Sequence, residues 1–396
     1  MAIDARVSKK AAAMTVIAAA AVSLTSIPAA AHDSTARQPA TAEAGAGVQA
    51  AAAPGVPRLP GGLSALSWMV ADADTGSVLA AKSPHRKLPP ASTLKTLFAV
   101  TVLPKFSAGT VRRVSSADLA GMGTGSSVVG VREGRRYTVA DLWRGVFLRS
   151  GNDAVHVLAA MNGGWRNTAE EMQETARKLG ARDTTVKSPD GYDAPGQVSS
   201  AYDLTVFARA GLVNDDFARY CATPRAAFPG SGGTTMIENT NRMLVGSHGL
   251  SRYPGIIGVK NGYTSKAGNT LIAAARRNGR TLLVTVLNPQ SNASNAVYKE
   301  AGSLLDWGFN TAGKAQPVGT LHALRTILDG SALRPVAAQA GAAEARGGSP
   351  RRSALVLGAG GAGVAAMGLG ALFGHRRQAR GRGGRGRRGG PEGGTA

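Results

Sequence analysis

The spacing of apolar positions changes several times along the chain, and each change predicts an element. Ser67-Trp68-Met69-Val70-Ala71-Asp72 and Ser77-Val78-Leu79-Ala80-Ala81 are short apolar runs on either side of Asp74-Thr75-Gly76, which reads as strand, tight turn, strand. Leu88-Pro89-Pro90-Ala91 follows, and its prolines oppose helix until Ser92. Beyond that serine, Leu94, Leu97, Phe98 and Val102 recur at helical spacing, so a helix is predicted to begin at Ser92. Thr138-x-x-Asp141 has the form of a capping box opening a helix through Leu148, and 153–161 reads as another helix, with Ser150-Gly151-Asn152 as the break between them. A surface helix is expected from a second box, Thr168-x-x-Glu171, to Gly180, turning Met172, Ala176 and Leu179 inward. Gly258-Val259-Lys260 then approaches a turn-like Asn261-Gly262. Residues 269–275 and 281–287 read as successive strands, and 303–309 as part of a closing helix. Hairpin, helical block, hairpin and helix make an α+β plan, an antiparallel sheet beside a helical lobe.

Both ends break this pattern. Residues 1–31 read as a signal peptide: Arg6, Lys9 and Lys10, then an apolar stretch, then Ala29-Ala30-Ala31 as a cleavage site. Residues 32–60 are mostly small residues and proline, too poor in large apolar side chains for a core, and read as a disordered linker. A second linker is expected over 313–353, which leaves 61–312 as the folded body. Residues 354–374 form an uncharged apolar run of about 21 residues, about 31 Å as a helix, which matches the hydrocarbon core of a bilayer. The arginines of 375–396 follow at once. Positive residues stay on the cytoplasmic side, so a single C-terminal transmembrane helix with the body outside the cytoplasm is expected.

This topology changes how the charge is read. Among 396 residues there are 46 Lys and Arg against 24 Asp and Glu, a net charge of +22. That excess and the Arg/Gly tail would ordinarily suggest nucleic acid. For an exported protein the tail is better explained as a topology signal held against anionic lipid, and no nucleic-acid partner is expected. The single cysteine, Cys221, cannot form an internal disulfide and reads as a small buried residue. The six histidines show no metal-ligand spacing, and His156 is expected to be packed or on the surface of its helix. The string from Gly308 to Lys314 mimics a phosphate loop, but Ala315 lacks the hydroxyl needed for magnesium.

The candidate chemistry lies in three ordered motifs: Ser92-Thr93-Leu94-Lys95, Ser150-Gly151-Asn152 and Lys260-Asn261-Gly262. A serine hydroxyl needs a neighbouring base, and positions i and i+3 share a helix face, so Lys95 can reach Ser92. Lysine acts as a base only when its pKa falls, through burial or a second cation, for which Lys260 is the natural candidate. Ser150 can pass a proton toward a leaving amine, and Asn152 can hold both a lysine and a substrate amide. Backbone N–H groups of Ser92 and Tyr263 are placed to form an oxyanion hole.

This three-part set is the signature of penicillin-binding proteins and class A β-lactamases. Over 68–309 the chain resembles the low-molecular-mass penicillin-binding proteins that act as D-alanyl-D-alanine carboxypeptidases, the S11 serine peptidase family. Further matches carry the resemblance: Asp74-x-Gly76 before Pro90-Ala91-Ser92, Asp153-Ala154, Leu179-Gly180 with Asp183-Thr184, Asn239-x-Asn241 before Leu244, Tyr263-Thr264 with Ala267-Gly268, and Leu304-Leu305-Asp306-Trp307-Gly308-Phe309. It implies a penicillin-binding-protein/β-lactamase-like fold and removal of the terminal D-alanine of peptidoglycan stem peptides through an acyl-enzyme on Ser92, with β-lactams trapping the same serine. By analogy Lys95 is the base, Ser150 and Asn152 position the proton relay, and Lys260, Asn261, Gly262, Tyr263 and Thr264 contact substrate. No metal or organic cofactor is implied. The chain departs from the family at Asn261, where threonine is usual, and over 292–299, which lacks the arginine that often meets the substrate carboxylate.

Two other readings stay open at this stage. A class A β-lactamase needs a placed glutamate, and Glu170, Glu171 and Glu174 fall on the surface-type helix instead. A non-catalytic wall-binding or β-lactam-binding descendant would account for Asn261 and the missing arginine.

Overall fold

The computed structural model describes residues 47–50, 53–311 and 313–322. Its strands are β1 (Val48–Ala50), β2 (Ala65–Asp72), β3 (Ser77–Lys82), β4 (Val111–Arg113), β5 (Arg136–Thr138), β6 (Arg225–Gly230), β7 (Gly233–Glu238), β8 (Ile256–Thr264), β9 (Gly268–Arg277), β10 (Arg280–Pro289) and β11 (Gly319–Thr320). The helices are α1 (Lys95–Val102), α2 (Val139–Arg149), α3 (Asn152–Met161), α4 (Trp165–Lys178), α5 (Ala201–Leu212), α6 (Asp215–Ala222), α7 (Arg242–Val245) and α8 (Ala296–Thr311).

The main sheet is antiparallel in the order β1-β3-β2-β10-β9-β8, with β11 also paired to β3. Successive side chains of a strand face opposite sides, and here both sides are covered. Trp68 and Val70 of β2 join Leu282, Val284 and Val286 of β10 against Leu304, Leu305 and Trp307 of α8. Met69, Ala71, Leu283 and Leu287 face the other way, into the larger core built by α1 to α6. This explains why the central strands read as unbroken apolar runs. Helix α5 is buried along nearly its whole length, and Thr205 on it meets Thr285 of β10 hydroxyl to hydroxyl at 2.7 Å.

The predicted α+β plan holds, and four local expectations are corrected. Helix α1 does not begin at Ser92: residues Ala91–Leu94 form a short 3₁₀ turn, and α-helix starts at Lys95. Thr168 does not cap a helix, because α4 begins three residues earlier after Gly164, whose φ of 102° suits glycine. Thr168 donates back to the Gly164 carbonyl at 2.8 Å, and Glu171 is taken by Lys105 and Asn162. Asn261-Gly262 is no turn but the middle of β8, paired with Leu271 and Thr270 of β9. Parts of both stretches expected to be linker are folded, since β1 and β11 both add to β3, at Lys82 and at Val78. Thr138 and Asp141, by contrast, form the predicted capping box of α2. The string mimicking a phosphate loop begins within α8, where Gly308 allows close approach to Leu282; a Cβ there would lie 2.8 Å from the leucine. Cys221 is buried, and burial pushes its thiol well above the usual range.

Among the described residues no helix is long and apolar enough to cross a membrane. The expected signal (1–31), anchor (354–374) and tail (375–396) lie outside the described residues.

Candidate active site

The backbone before Ser92 is held from several sides. Leu88 and Ser199 exchange N–H···O bonds at 2.8 and 2.9 Å, and the Pro90 carbonyl accepts from the hydroxyls of Thr93 at 2.5 Å and Thr270 at 3.1 Å. Ala91 adopts φ of 49°, a strained value for a residue with a side chain, immediately before the serine. Gly191 packs so closely there that a Cβ on it would stand 2.1 Å from the Ala91 carbonyl oxygen. In a 3₁₀ turn side chains at i and i+3 eclipse, so the tight turn, rather than an α-helix face, brings Ser92 and Lys95 together.

Lys95 is 1% exposed, and its Nζ donates to Ser92 Oγ at 2.8 Å and to the Asp190 carbonyl at 2.6 Å. Burial lowers its pKa to about 8, against the opposing pull of Asp190 and Asp153. The expected second cation is buried as well. Lys260 is 2% exposed and its ammonium donates to the Asn261 carbonyl at 2.8 Å. Burial first, and then repulsion from Lys95, push its pKa well below the usual lysine range. A pair of buried amines therefore resists carrying two charges.

Ser150 sits between α2 and α3 with φ of 57°, and Asn152 opens α3. Their side chains are buried, and among the described residues neither Ser150 Oγ nor Asn152 Oδ1 has a hydrogen-bond partner. The structure therefore draws no direct bond from Ser150 to either lysine. Asn152 Nδ2 donates to Ser126 Oγ at 3.1 Å, and its N–H to the Ser127 carbonyl at 2.8 Å. Next to it the buried Asp153 carboxylate accepts from the N–H groups of Val129, Gly130 and Val131. That carboxylate pins the loop carrying Ser126 and Ser127 onto α3. One turn further on, His156 is packed against Trp165 with ring centroids 4.0 Å apart, and burial lowers its pKa.

Strand β8 supplies the opposite wall. A Cβ on Gly262 would stand 2.7 Å from the Ser92 nitrogen, so only glycine lets β8 lie this close to the serine amide. Tyr263 follows with 68% of its surface exposed, and Thr264 donates through Oγ1 to Asp193 Oδ1 at 2.8 Å. Asn261 Oδ1 accepts from the Thr240 hydroxyl at 3.0 Å. Ser92, Asn152, Tyr263 and Thr264 line a cleft of about 230 Å³. Ser126, Ser127, Tyr192 and Asp193 line it too, and sequence reasoning missed them. A turn-forming Asp190-Gly191 dipeptide, unread in the sequence, could have pointed to that wall. Nothing local pointed to Ser126, and Thr240 was passed over inside the Asn239-x-Asn241 match.

A hydroxyl held 2.8 Å from a partly neutral amine, in a cleft walled by a close-packed glycine strand, suits nucleophilic acyl transfer. The glutamates of α4 stay away from it: Glu171 pairs with Lys105 at 2.5 Å, Glu174 with Arg177 at 3.0 Å and Glu170 with Arg166 at 3.6 Å. Among the described residues no three His, Cys, Asp or Glu side chains gather as a metal site.

A family model described as D-alanyl-D-alanine carboxypeptidase, peptidase family S11, matches residues 50–291. The D-alanyl-D-alanine carboxypeptidase DacB2 of Mycobacterium tuberculosis is 40% identical over 248 residues, 62% of this chain and 82% of the relative. DacD of Escherichia coli, of the same description, is 34% identical over 261 residues, covering 63% of this chain and 64% of the relative. The crystal structure of a D-alanyl-D-alanine carboxypeptidase from M. tuberculosis superposes with a TM-score of 0.61 at 38% identity, covering 68% of this chain and 98% of that one.

Proposed function

The chain belongs to the S11 family of serine-type D-alanyl-D-alanine carboxypeptidases, and we propose that it removes the terminal D-alanine of peptidoglycan stem peptides through an acyl-enzyme on Ser92. The observation that carries this is the 2.8 Å bond from the buried Lys95 amine to the Ser92 hydroxyl. Neutral Lys95 takes the hydroxyl proton as Ser92 Oγ attacks the carbonyl carbon of the scissile D-Ala–D-Ala bond. The N–H groups of Ser92 and Tyr263 stabilise the oxyanion, and Gly262 is what lets that strand come near. The proton passes by way of the Ser150 hydroxyl to the departing D-alanine amine, while Asn152 holds the peptide amide in place. Water then releases the shortened peptide. Lys260, Asn261 and Thr264, all on β8, meet the terminal carboxylate. A β-lactam presents a strained amide and a carboxylate to the same groups and stays on the serine.

The same proposal takes in the ends of the chain. The signal at 1–31, the apolar run at 354–374 and the basic tail at 375–396 support an exported protein held by one C-terminal transmembrane helix, with its catalytic body outside the cytoplasm.

Incubation of the full-length protein with a labelled penicillin, followed by a D-alanine release assay, tests the activity. Label on Ser92 together with release of D-alanine is expected. Label without release would favour a β-lactam-binding descendant, and rapid drug turnover would favour a β-lactamase. Protease applied to intact cells should destroy the body and spare the tail; the reverse would overturn the topology.

A further inference from the structure

The segment 239–241 crosses from the helical side of the molecule to β8 and is tied down at every residue. Asn239 donates its N–H to the Pro224 carbonyl at 2.8 Å and Nδ2 to the Thr223 carbonyl at 3.1 Å. Its Oδ1 accepts from the Asn241 N–H at 2.9 Å, and Asn241 Oδ1 accepts from the Met243 N–H at 3.1 Å. Thr240 is fixed by its backbone on both sides. Its N–H donates to the Leu148 carbonyl at 2.8 Å, two residues before Ser150, and its carbonyl accepts from the Tyr298 hydroxyl at 3.4 Å. The one group of Thr240 left over is its hydroxyl, which donates to Asn261 Oδ1 at 3.0 Å.

That bond matters because Asn261 stands at the position on which carboxylate binding would depend. A primary amide has an acceptor end and a donor end, and rotation about its terminal torsion exchanges them with little intrinsic preference. With Oδ1 turned toward an anion the amide repels it; with Nδ2 turned there it donates. The Thr240 hydroxyl, which can donate or accept, here donates to Oδ1, which leaves Nδ2, and among the described residues no hydrogen bond uses it.

We propose that Thr240 is a positioning residue for recognition of the substrate carboxylate: its hydroxyl holds Asn261 Oδ1, so that the amide presents Nδ2 to the C-terminal carboxylate of the peptide. The proposal rests on the carboxypeptidase reading above. It assigns Thr240 a function that depends on its side chain and not on the fold of the segment, since both backbone bonds of Thr240 survive loss of the hydroxyl.

The test uses the full-length protein, a diacylated Lys-D-Ala-D-Ala peptide and the same peptide with a C-terminal carboxamide. Thr240→Val is expected to raise KM for the free acid about 5- to 10-fold, the worth of one oriented hydrogen bond, while kcat changes less than about twofold. Thr240→Ser restores the wild-type KM. The carboxamide peptide shows no difference between Thr240→Val and wild type. In an Asn261→Thr background, Thr240→Val has no further effect. Equal losses on both peptides, a lowered KM, or an undiminished effect beside Asn261→Thr would each overturn the proposal. Acylation by labelled penicillin, itself a carboxylate, supplies a readout independent of D-alanine release. If the wild type is acylated but releases no D-alanine, the activity reading fails while a 5- to 10-fold slower acylation of Thr240→Val still upholds the role of Thr240, to about the same bond's worth. Absence of both label and release overturns the two together.

Discussion

The two walls of the cleft are built differently. The helical wall, with Ser92, Lys95, Ser150 and Asn152, rests on backbone fixed by strained φ values, proline and buried carbonyl contacts, and its reactive groups are nearly all buried. The strand wall, from Asn261 to Thr264, is a regular ladder with β9, and its side chains reach toward solvent or are held by a few hydrogen bonds, Asn261 accepting from Thr240 and Thr264 donating to Asp193. Proton transfer needs an amine kept away from water, and only an over-determined core can supply that. Recognition needs only correctly aimed donors. A strand can change these one residue at a time.

The largest test breaks the helical wall. Lys95→Ala should slow acylation by labelled penicillin about 10³-fold, the scale of a lost general base. In the wild type, kcat/KM should climb with pH and level off above about 8, because the pKa of Lys95 is lowered to about 8 and only the neutral amine can accept the proton. A profile already flat between pH 6 and 8 would remove burial as the device that readies this base.

Next comes the contact between the walls. Gly262→Ala places a methyl 2.7 Å from both the Ser92 nitrogen and Thr270 Oγ1, so β8 must move away from the serine. Acylation should fall about 10- to 100-fold, in line with weakened oxyanion stabilisation. An unchanged rate would show that the two walls act independently.

The smallest effect sharpens the comparison from behind the helical wall. Asp203 on α5 is buried beside Asp183 and His85, and burial raises its pKa to about 6 despite a hydrogen bond from Thr184. Between its unfolded value near 3.9 and its folded value the native state holds the extra proton. The stabilisation is therefore full below about pH 4 and is lost as pH rises through about 6. Asp203→Asn cannot titrate. Its Tm relative to wild type should rise by about 5 °C between pH 4 and pH 7.5, with kcat/KM unchanged. A constant difference in Tm would mean that Asp203 titrates alike in both states.

The features legible in the sequence were those whose cause is local. The prolines before Ser92, the Thr138–Asp141 box and the turn at Asp74-Thr75-Gly76 act within a few residues, and they locate the hairpin, α2 and the break holding Ser150 and Asn152. Where distant partners decide, local signals mislead. Asn261-Gly262 favours a turn, but eight paired positions of β8 with β9 override it. Thr168 and Glu171 have the spacing of a cap, yet Gly164 starts the helix earlier and Lys105 claims the carboxylate. The carbonyl of Asp190 and the hydroxyls of Ser126 and Thr240 were not legible, because each matters only through a neighbour brought close by the fold. Small-residue composition suggested linkers on both sides of the body, although two or three extended residues suffice to join a sheet edge.

Those short additions to β3 also act as a guard. An uncovered strand edge offers a row of free N–H and C=O groups to any neighbouring chain. Strand β3 reads Ser-Val-Leu-Ala-Ala-Lys, with Lys82 as its one charge, a weak deterrent to such pairing. With β1 over one part of that edge and β11 over another, residues from before and after the body close it to other copies. A chain cut back to 61–312 would keep every group of the cleft and lose both covers, leaving a template for edge-to-edge aggregation. The outlying segments thus shorten the exposed edge of β3 to a three-residue and a two-residue strand, the short-edge device by which sheets limit edge-to-edge pairing.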